Sequence, residues 1–167
     1  MKALKFFTAA FFVLCSHCLF SQTITQGNMK FLKGESRLNC VIDYSETTIT
    51  GFSEEEFKDW FATLDEDSTF YAKRFFSGVV NELGNRFLLV GNQPKAKYNA
   101  IIRIMQISPK GDVMAVCDFT LASSPDKLCS VQLTGDGGRI GTFMGLVGDG
   151  MNELGEHFGK FLRKYTK

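Results

Sequence analysis

The fold is decided by residues 96–134, AKYNAIIRIMQISPKGDVMAVCDFTLASSPDKLCSVQLT. Tyr98, Ala100, Ile102 and Ile104 alternate with Asn99, Ile101, Arg103 and Met105, a period of two that predicts a strand with one buried face. Ser108-Pro109-Lys110-Gly111 follows, with proline second and glycine fourth, as a type I turn prefers. Val113, Ala115, Cys117, Phe119 and Leu121 then form an apolar face opposite Met114, Val116, Asp118 and Thr120. Ala122 to Asp126 turns the chain, and Cys129, Val131 and Leu133 face inward again. The stretch reads as a three-stranded meander, 96–107, 112–122 and 127–134.

Upstream, Leu38, Cys40, Ile42 and Tyr44 alternate with Asn39, Val41 and Asp43 as a first strand. The β-branched run Thr47 to Thr50 reads as its extension or as a second strand. Ser53 followed by Glu56 is a capping box, and Phe52 stands where it can staple onto Phe57. Phe57, Trp60, Phe61 and Leu64 recur at helical spacing, and Asp65-Glu66-Asp67-Ser68 reads as a stop and a new cap. Ala72, Phe75, Phe76, Val79, Val80 and Leu83 continue the spacing up to Gly84 at a helix C′ position. A helical hairpin or one bent helix is therefore expected over 53–83. Arg86 to Val90 reads as a short buried strand.

Downstream, Gly135-Asp136-Gly137-Gly138 ends the sheet and opens a final helix. Its stripe runs Ile140, Phe143, Met144, Val147, Met151, Leu154, Phe158, Phe161 and Tyr165. The order β, helices, β, β, β, β, helix predicts an α+β domain, a mainly antiparallel or mixed sheet of about five strands with helices packed on one face.

With 167 residues, 44% apolar and a formal charge of +1, the chain suits one domain and excludes both disorder and a nucleic-acid footprint. Met1 to Gln22 has the form of a secretory signal: Lys2 and Lys5, an apolar run from Phe6 to Leu14, and small Ser21 near the end. The apolar run is too short to span a bilayer. Leu14 precedes Cys15 and His17 precedes Cys18, so the lipoprotein pattern of a small residue before Cys is not met. Removing the segment takes two lysines and no acid, which changes the charge from +1 to −1. It also removes Cys15, Cys18 and His17, leaving Cys40, Cys117, Cys129 and His157. The expected location is exported: the periplasm, the outer-membrane periphery or outside the cell. No membrane span is expected in the mature chain. Residues 23–36 read as a polar lead-in and 37–167 as the single domain.

The oddest feature is a small-residue stripe in the last helix. Gly141, Gly145, Gly148, Asn152, Gly155 and Gly159 each follow a member of the apolar stripe by one residue, about 100° around the helix. Interior glycines cost roughly 0.5–1 kcal/mol each relative to alanine, so close packing is the expected offset. Three surfaces compete for it: the chain's own helices or sheet, a second copy or partner helix, and a membrane, for which Asp149, Glu153 and Glu156 are poorly placed. Gly148-Asp149-Gly150 is also a point where the helix can break.

Other chemistry is poorly supported. Gly135 to Gly141 has G-x-G, but Ile140 stands where the dinucleotide motif needs its third glycine. Gly150 to Gly155 has phosphate-loop spacing, with Glu156 in place of lysine. No nucleotide or other cofactor is expected. One mature histidine and no C-x-x-C pair argue against a metal site, and Asp65, Asp67 and Thr69 lack the glycine of a calcium loop. His157 flanks the apolar stripe as a surface or partly packed residue, no G-x-S-x-G is present, and Asp43 and Asp118 read as solvated sheet residues. A three-residue loop would set Cys117 opposite Cys129. A five-residue loop sets Cys129 opposite Phe119 and keeps Pro125 out of the ladder, and so favours buried thiols, with Cys40 in the core as well.

Gly84-Asn85-Arg86-Phe87-Leu88-Leu89-Val90 ahead of Ala100-Ile101-Ile102-Arg103-Ile104, then a meander and a glycine-rich helix, resembles periplasmic α/β domains of the curli-export lipoprotein type and the TolB amino-terminal type. Phe31-Leu32-Lys33-Gly34-Glu35 and Ala96-Lys97-Tyr98 are similar to segments of a secreted Bacteroidota family of unknown function. The resemblance carries no catalytic residues, and the lipidated cysteine and pore-forming segments of the curli-type lipoprotein have no counterpart here. It implies an envelope module that binds or organises partners. The expected function is protein–protein interaction or assembly, with an envelope protein or a second copy as partner. The stripe Gly141, Gly145, Gly148, Asn152, Gly155 and Gly159 and the polar sheet face are the candidate surfaces. A small-ligand or envelope-component binder is the alternative, and a hydrolase built on His157 and Asp118 the third reading.

Overall fold

Ser53 caps a helix as its spacing to Glu56 predicts. Its hydroxyl accepts from the Glu56 N–H at 3.2 Å, while the Glu56 carboxylate accepts from the Ser53 N–H at 2.8 Å. The helix so started, α1, runs without interruption over Glu54–Leu83. The acidic run at 65–68 does not stop it, because Trp60, Leu64, Tyr71, Phe75 and Val79 keep one helical phase across that run and are all buried. Gly84 ends it with φ +56°, a conformation that favours glycine.

The computed structural model describes residues 22–84 and 89–166. Residues 1–21 of the segment expected as a secretory signal, residues 86–88 of the strand expected at Arg86–Val90, and the Phe57 side chain of the expected staple lie outside the described residues. The strands are β1 (Gln22–Gly27), β2 (Arg37–Asp43), β3 (Thr48–Ile49), β4 (Leu89–Gly91), β5 (Tyr98–Ile107), β6 (Val113–Leu121) and β7 (Ser124–Gly135), and the last helix is α2 (Phe143–Tyr165). They form one mixed seven-stranded sheet in the order β1-β7-β6-β5-β2-β4, with β3 alongside β5. β5, β6 and β7 are the antiparallel meander, whereas β2 joins β5 and β4 in parallel. The architecture is α+β, as the element order predicts.

The sheet has two strands more than the five expected: Thr48–Ile49 pairs as a strand of its own, and the polar lead-in supplies another. Ile24 packs on the core, and β1 pairs along the edge of β7. A short 3₁₀ turn at Lys30–Leu32 buries Met29 and Leu32. Alternation also breaks in β5, where a bulge between Ile104 and Gln106 puts Ile107 instead of Gln106 on the buried face. β7 begins at Ser124, inside the stretch Ala122–Asp126 expected as a five-residue loop; the connection is two residues long, and the bulged register between Ser124 and Lys127, with Pro125 outside regular pairing, is what sets Cys129 opposite Phe119. Cys40, Cys117 and Cys129 are all free and buried.

Both helices cover the same face. Phe75 of α1 stacks on Phe158 of α2 with centroids 5.8 Å apart, and Phe158 lies 6.2 Å from Phe119 on β6. α2 starts at Phe143 because the Thr142 hydroxyl accepts from the Gly145 N–H at 3.2 Å. Ile140 therefore precedes the helix instead of joining its stripe, and is 95% exposed.

Candidate functional site

Two regions carry the features that sequence singled out: the seam between the helices and the sheet face that none of the described helices covers. In the seam, a Cβ on Gly155 would collide with the Phe75 carbonyl. One on Gly148 would come within 2.7 Å of the Phe70 ring, and one on Gly159 within 2.8 Å of the Glu82 Cβ. The fit is reciprocal, since Gly78 of α1 lies against the Asn152 carbonyl and within 2.7 Å of the Glu156 nitrogen. Gly148, Asn152, Gly155 and Gly159 are thus already spent on the chain's own helix and are not a free surface for a partner. Among the described residues, a Cβ on Gly145 would meet only the Thr142 hydroxyl at 3.4 Å, and one on Gly141 only the Leu146 side chain at 3.9 Å. The stripe is two things: an internal seam, and two glycines off it.

The helix does not break at Gly148–Gly150. Gly148 is pinned by Phe70 on one side, and Gly150 lies against the Gly111 carbonyl in the β5–β6 turn on the other. Gly111 adopts φ +81° there, and its N–H donates to the Ser108 carbonyl at 2.9 Å. The glycine loop ahead of α2 is tied down as well. The Asp136 N–H donates to the Glu153 carboxylate at 3.1 Å, and the Gly137 N–H to the Asp112 carboxylate at 2.9 Å. Donors that a phosphate would need already serve the chain's own acids.

The uncovered face carries a polar cluster that alternation alone describes as solvated. Asp118 on β6 is 5% exposed. It accepts from the Ser130 hydroxyl at 2.5 Å and from Arg103 Nη2 at 2.5 Å, with Lys127 Nζ at 3.0 Å. Register explains the convergence: Ser130 sits directly opposite Asp118 on β7, while Arg103 on β5 and Lys127 on β7 approach along the diagonals. Burial pushes the Asp118 carboxyl up, but the hydrogen bonds from Ser130 and Lys127 and the charges of Arg103 and Lys127 outweigh it and hold it below its ordinary value. Arg103 also reaches Glu46 at 3.4 Å, and its buried Nε has no acceptor. A second row runs from Asn39 to Asn99 at 3.0 Å and on to Thr120 at 3.4 Å. Val41, 50% exposed, and the partly buried Ile101 and Val116 lie among these groups.

His157 and Asp118 do not come together. Asp118 faces away from the helices, whereas His157 on α2 donates from Nδ1 to the Thr134 carbonyl at 2.7 Å; a carbonyl only accepts, so Nδ1 carries the proton. Its Nε2 lies 3.7 Å from Glu153. Burial pushes the thiols of Cys40, Cys117 and Cys129 upward, so they are held as neutral core groups. Among the described residues, no group of three or more His, Cys, Asp or Glu is arranged to hold a metal ion, and no helix is long and apolar enough to cross a membrane.

No family model matches the chain, and no curated protein does. Among solved structures, the PelC dodecamer from Paraburkholderia phytofirmans is similar over 81% of this chain and 96% of that chain, at 8% identity and a TM-score of 0.41. A single-substitution form of the same PelC protein aligns over 81% and 94% at 10% identity and a TM-score of 0.38. Likeness at that level carries nothing about assembly or activity.

Proposed function

We propose that the chain is an exported, envelope-associated module that works by protein–protein contact or assembly rather than by catalysis, and that it presents the uncovered sheet face to its partner. The observation behind this is the Arg103–Asp118–Ser130–Lys127 cluster set among Val41, Ile101 and Val116. Its charges are already paired, so a partner covering them meets less of the desolvation cost that unpaired charges impose. The apolar residues around the cluster supply area to bury. Export is supported by the pattern of Met1 to Gln22, and an envelope role by the resemblance to periplasmic domains. The hydrolase reading loses support, because His157 on α2 packs on the covered side of the sheet while Asp118 on β6 faces the other side.

The partner is an envelope protein, with a second copy of the chain as the other outcome. A tagged 23–167 protein is incubated with envelope extract beside Ile101→Lys and Gly145→Leu, and each is also sized by light scattering. The proposal requires Ile101→Lys to lose the recovered partner, or the dimer, while its circular dichroism stays native. Gly145→Leu, off the seam and away from the sheet face, should recover as much as the parent. Equal recovery by Ile101→Lys would sink the sheet-face reading.

A further inference from the structure

The edge strand β1 begins at Gln22, directly after Ser21, the small residue near the end of the expected signal. Gln22 is committed to the sheet, opposite Leu133 on β7. A cut after Ser21 leaves β1 whole with Gln22 as its amino terminus. A cut after Gln22, where the segment was expected to end, takes the first paired residue off β1. Glutamine at an amino terminus has a chemistry of its own, because its α-nitrogen reaches its side-chain amide to close a small lactam ring.

The surroundings of Gln22 suit that ring. Cross-strand partners share a face, and Leu133 is fully buried, so the Gln22 side chain lies on the helix side of the sheet. There Gln22, Thr23 and Ile24 face Phe161, Lys164 and Tyr165 of α2 across a 370 Å³ groove. The Phe161 and Tyr165 rings lie 5.0 Å apart, and Lys164 Nζ is 5.4 Å from the centre of the Tyr165 ring. A free terminal ammonium would add a second positive charge beside Lys164, and none of the described lining residues is acidic. The lactam is neutral, keeps one N–H, and turns its methylene groups toward the aromatic rings.

We propose that Gln22 is a modification site, where the mature amino terminus closes on itself. Once residues 1–21 are removed, the α-amine nitrogen attacks the side-chain Cδ. The new N–C bond closes the ring, and the side-chain nitrogen leaves as ammonia with the proton that the amine gives up. Nothing is oxidised or reduced, and no co-reactant is consumed. The closed ring leaves no amine from which an aminopeptidase could trim the strand that covers the edge of β7. The proposal rests on the export reading, since a chain that keeps residues 1–21 never frees this amine. It is independent of any partner on the uncovered sheet face.

The full 1–167 chain is recovered from the cells that export it, and its free amines are labelled before digestion. The first peptide should begin at residue 22 with no label on its α-nitrogen. It should weigh about 17 Da less than its open form, the mass of ammonia. Gln22→Ala keeps Ser21 at the cut and cannot cyclise. It should take the label, and an aminopeptidase should shorten it roughly tenfold faster than the parent. A labelled Gln22 at full mass, or a chain that begins at Thr23, would overturn the proposal and leave export standing. Residues 1–21 still attached would overturn both. Equal trimming of the parent and Gln22→Ala would overturn the protection of β1.

Discussion

The two faces of the sheet are held by opposite means. On the covered face, α1 and α2 approach until backbone meets backbone, with Gly155 against the Phe75 carbonyl and Gly78 against the Asn152 carbonyl. On the uncovered face, Asp118 is held by side chains that can each move: Arg103, Lys127 and Ser130. A backbone contact has no rotamer to yield, whereas a side-chain cluster can loosen one member at a time. Sequence variation should therefore be nearly forbidden in the seam and graded on the open face.

The sharpest way to break that contrast is Gly155→Ala. The added methyl collides with a carbonyl fixed inside α1, and overpacking of this kind should cost about 3 kcal/mol even after the gain in helix propensity. Urea unfolding measures it, and a neutral result would mean that the seam yields. Next comes Asp118→Ala, which strands Arg103 and Lys127. A fully buried pair would lose ~3–5 kcal/mol, but both cations still reach water, so about 2 kcal/mol is expected.

Acid titration of the same site gives a signed result. The folded carboxyl of Asp118 sits below its ordinary 3.8. Its contribution is thus complete above 3.8 and is lost as pH falls through the lower folded value. Asp118→Asn should flatten that part of the acid dependence of Tm. The smallest effect, of opposite sign, belongs to Gly145→Ala. With the Thr142 hydroxyl, at 3.4 Å, the one close neighbour among the described residues, the methyl has room, and stability should rise by about 0.5 kcal/mol. Two glycines of one stripe would then answer the same substitution in opposite directions.

Local signals were well read from sequence. The capping box at Ser53, the Pro109–Gly111 turn and the meander follow from spacing and turn chemistry; Cys129 does lie opposite Phe119, but through bulges after a two-residue turn and not through the five-residue loop expected. What sequence left open depends on partners far along the chain. Gln22–Gly27 has one apolar residue facing the core, so only the free edge of β7 makes it a strand. Asp118 points away from the core in any reading of its alternation, yet its burial needs Ser130 and Lys127 brought alongside, which a bulged register decides. The glycine stripe declared close contact without saying with what. Gly78, one glycine among the bulky residues of α1, is its counterpart, and nothing in its own neighbourhood marks it out.

The mixed sheet also sets an order of events in time. β5, β6 and β7 are joined by tight turns, whereas β2 meets β5 across a separation of 60 residues at Asn39 and Asn99. Closing that loop early costs chain entropy that only later contacts repay, so the meander should be the part that forms first and the parallel half the part that waits. Weakening the Pro109–Gly111 turn would then slow folding, while weakening β2 would chiefly hasten unfolding. The parallel half, last to close, would be the first to open when the molecule is pulled or proofread.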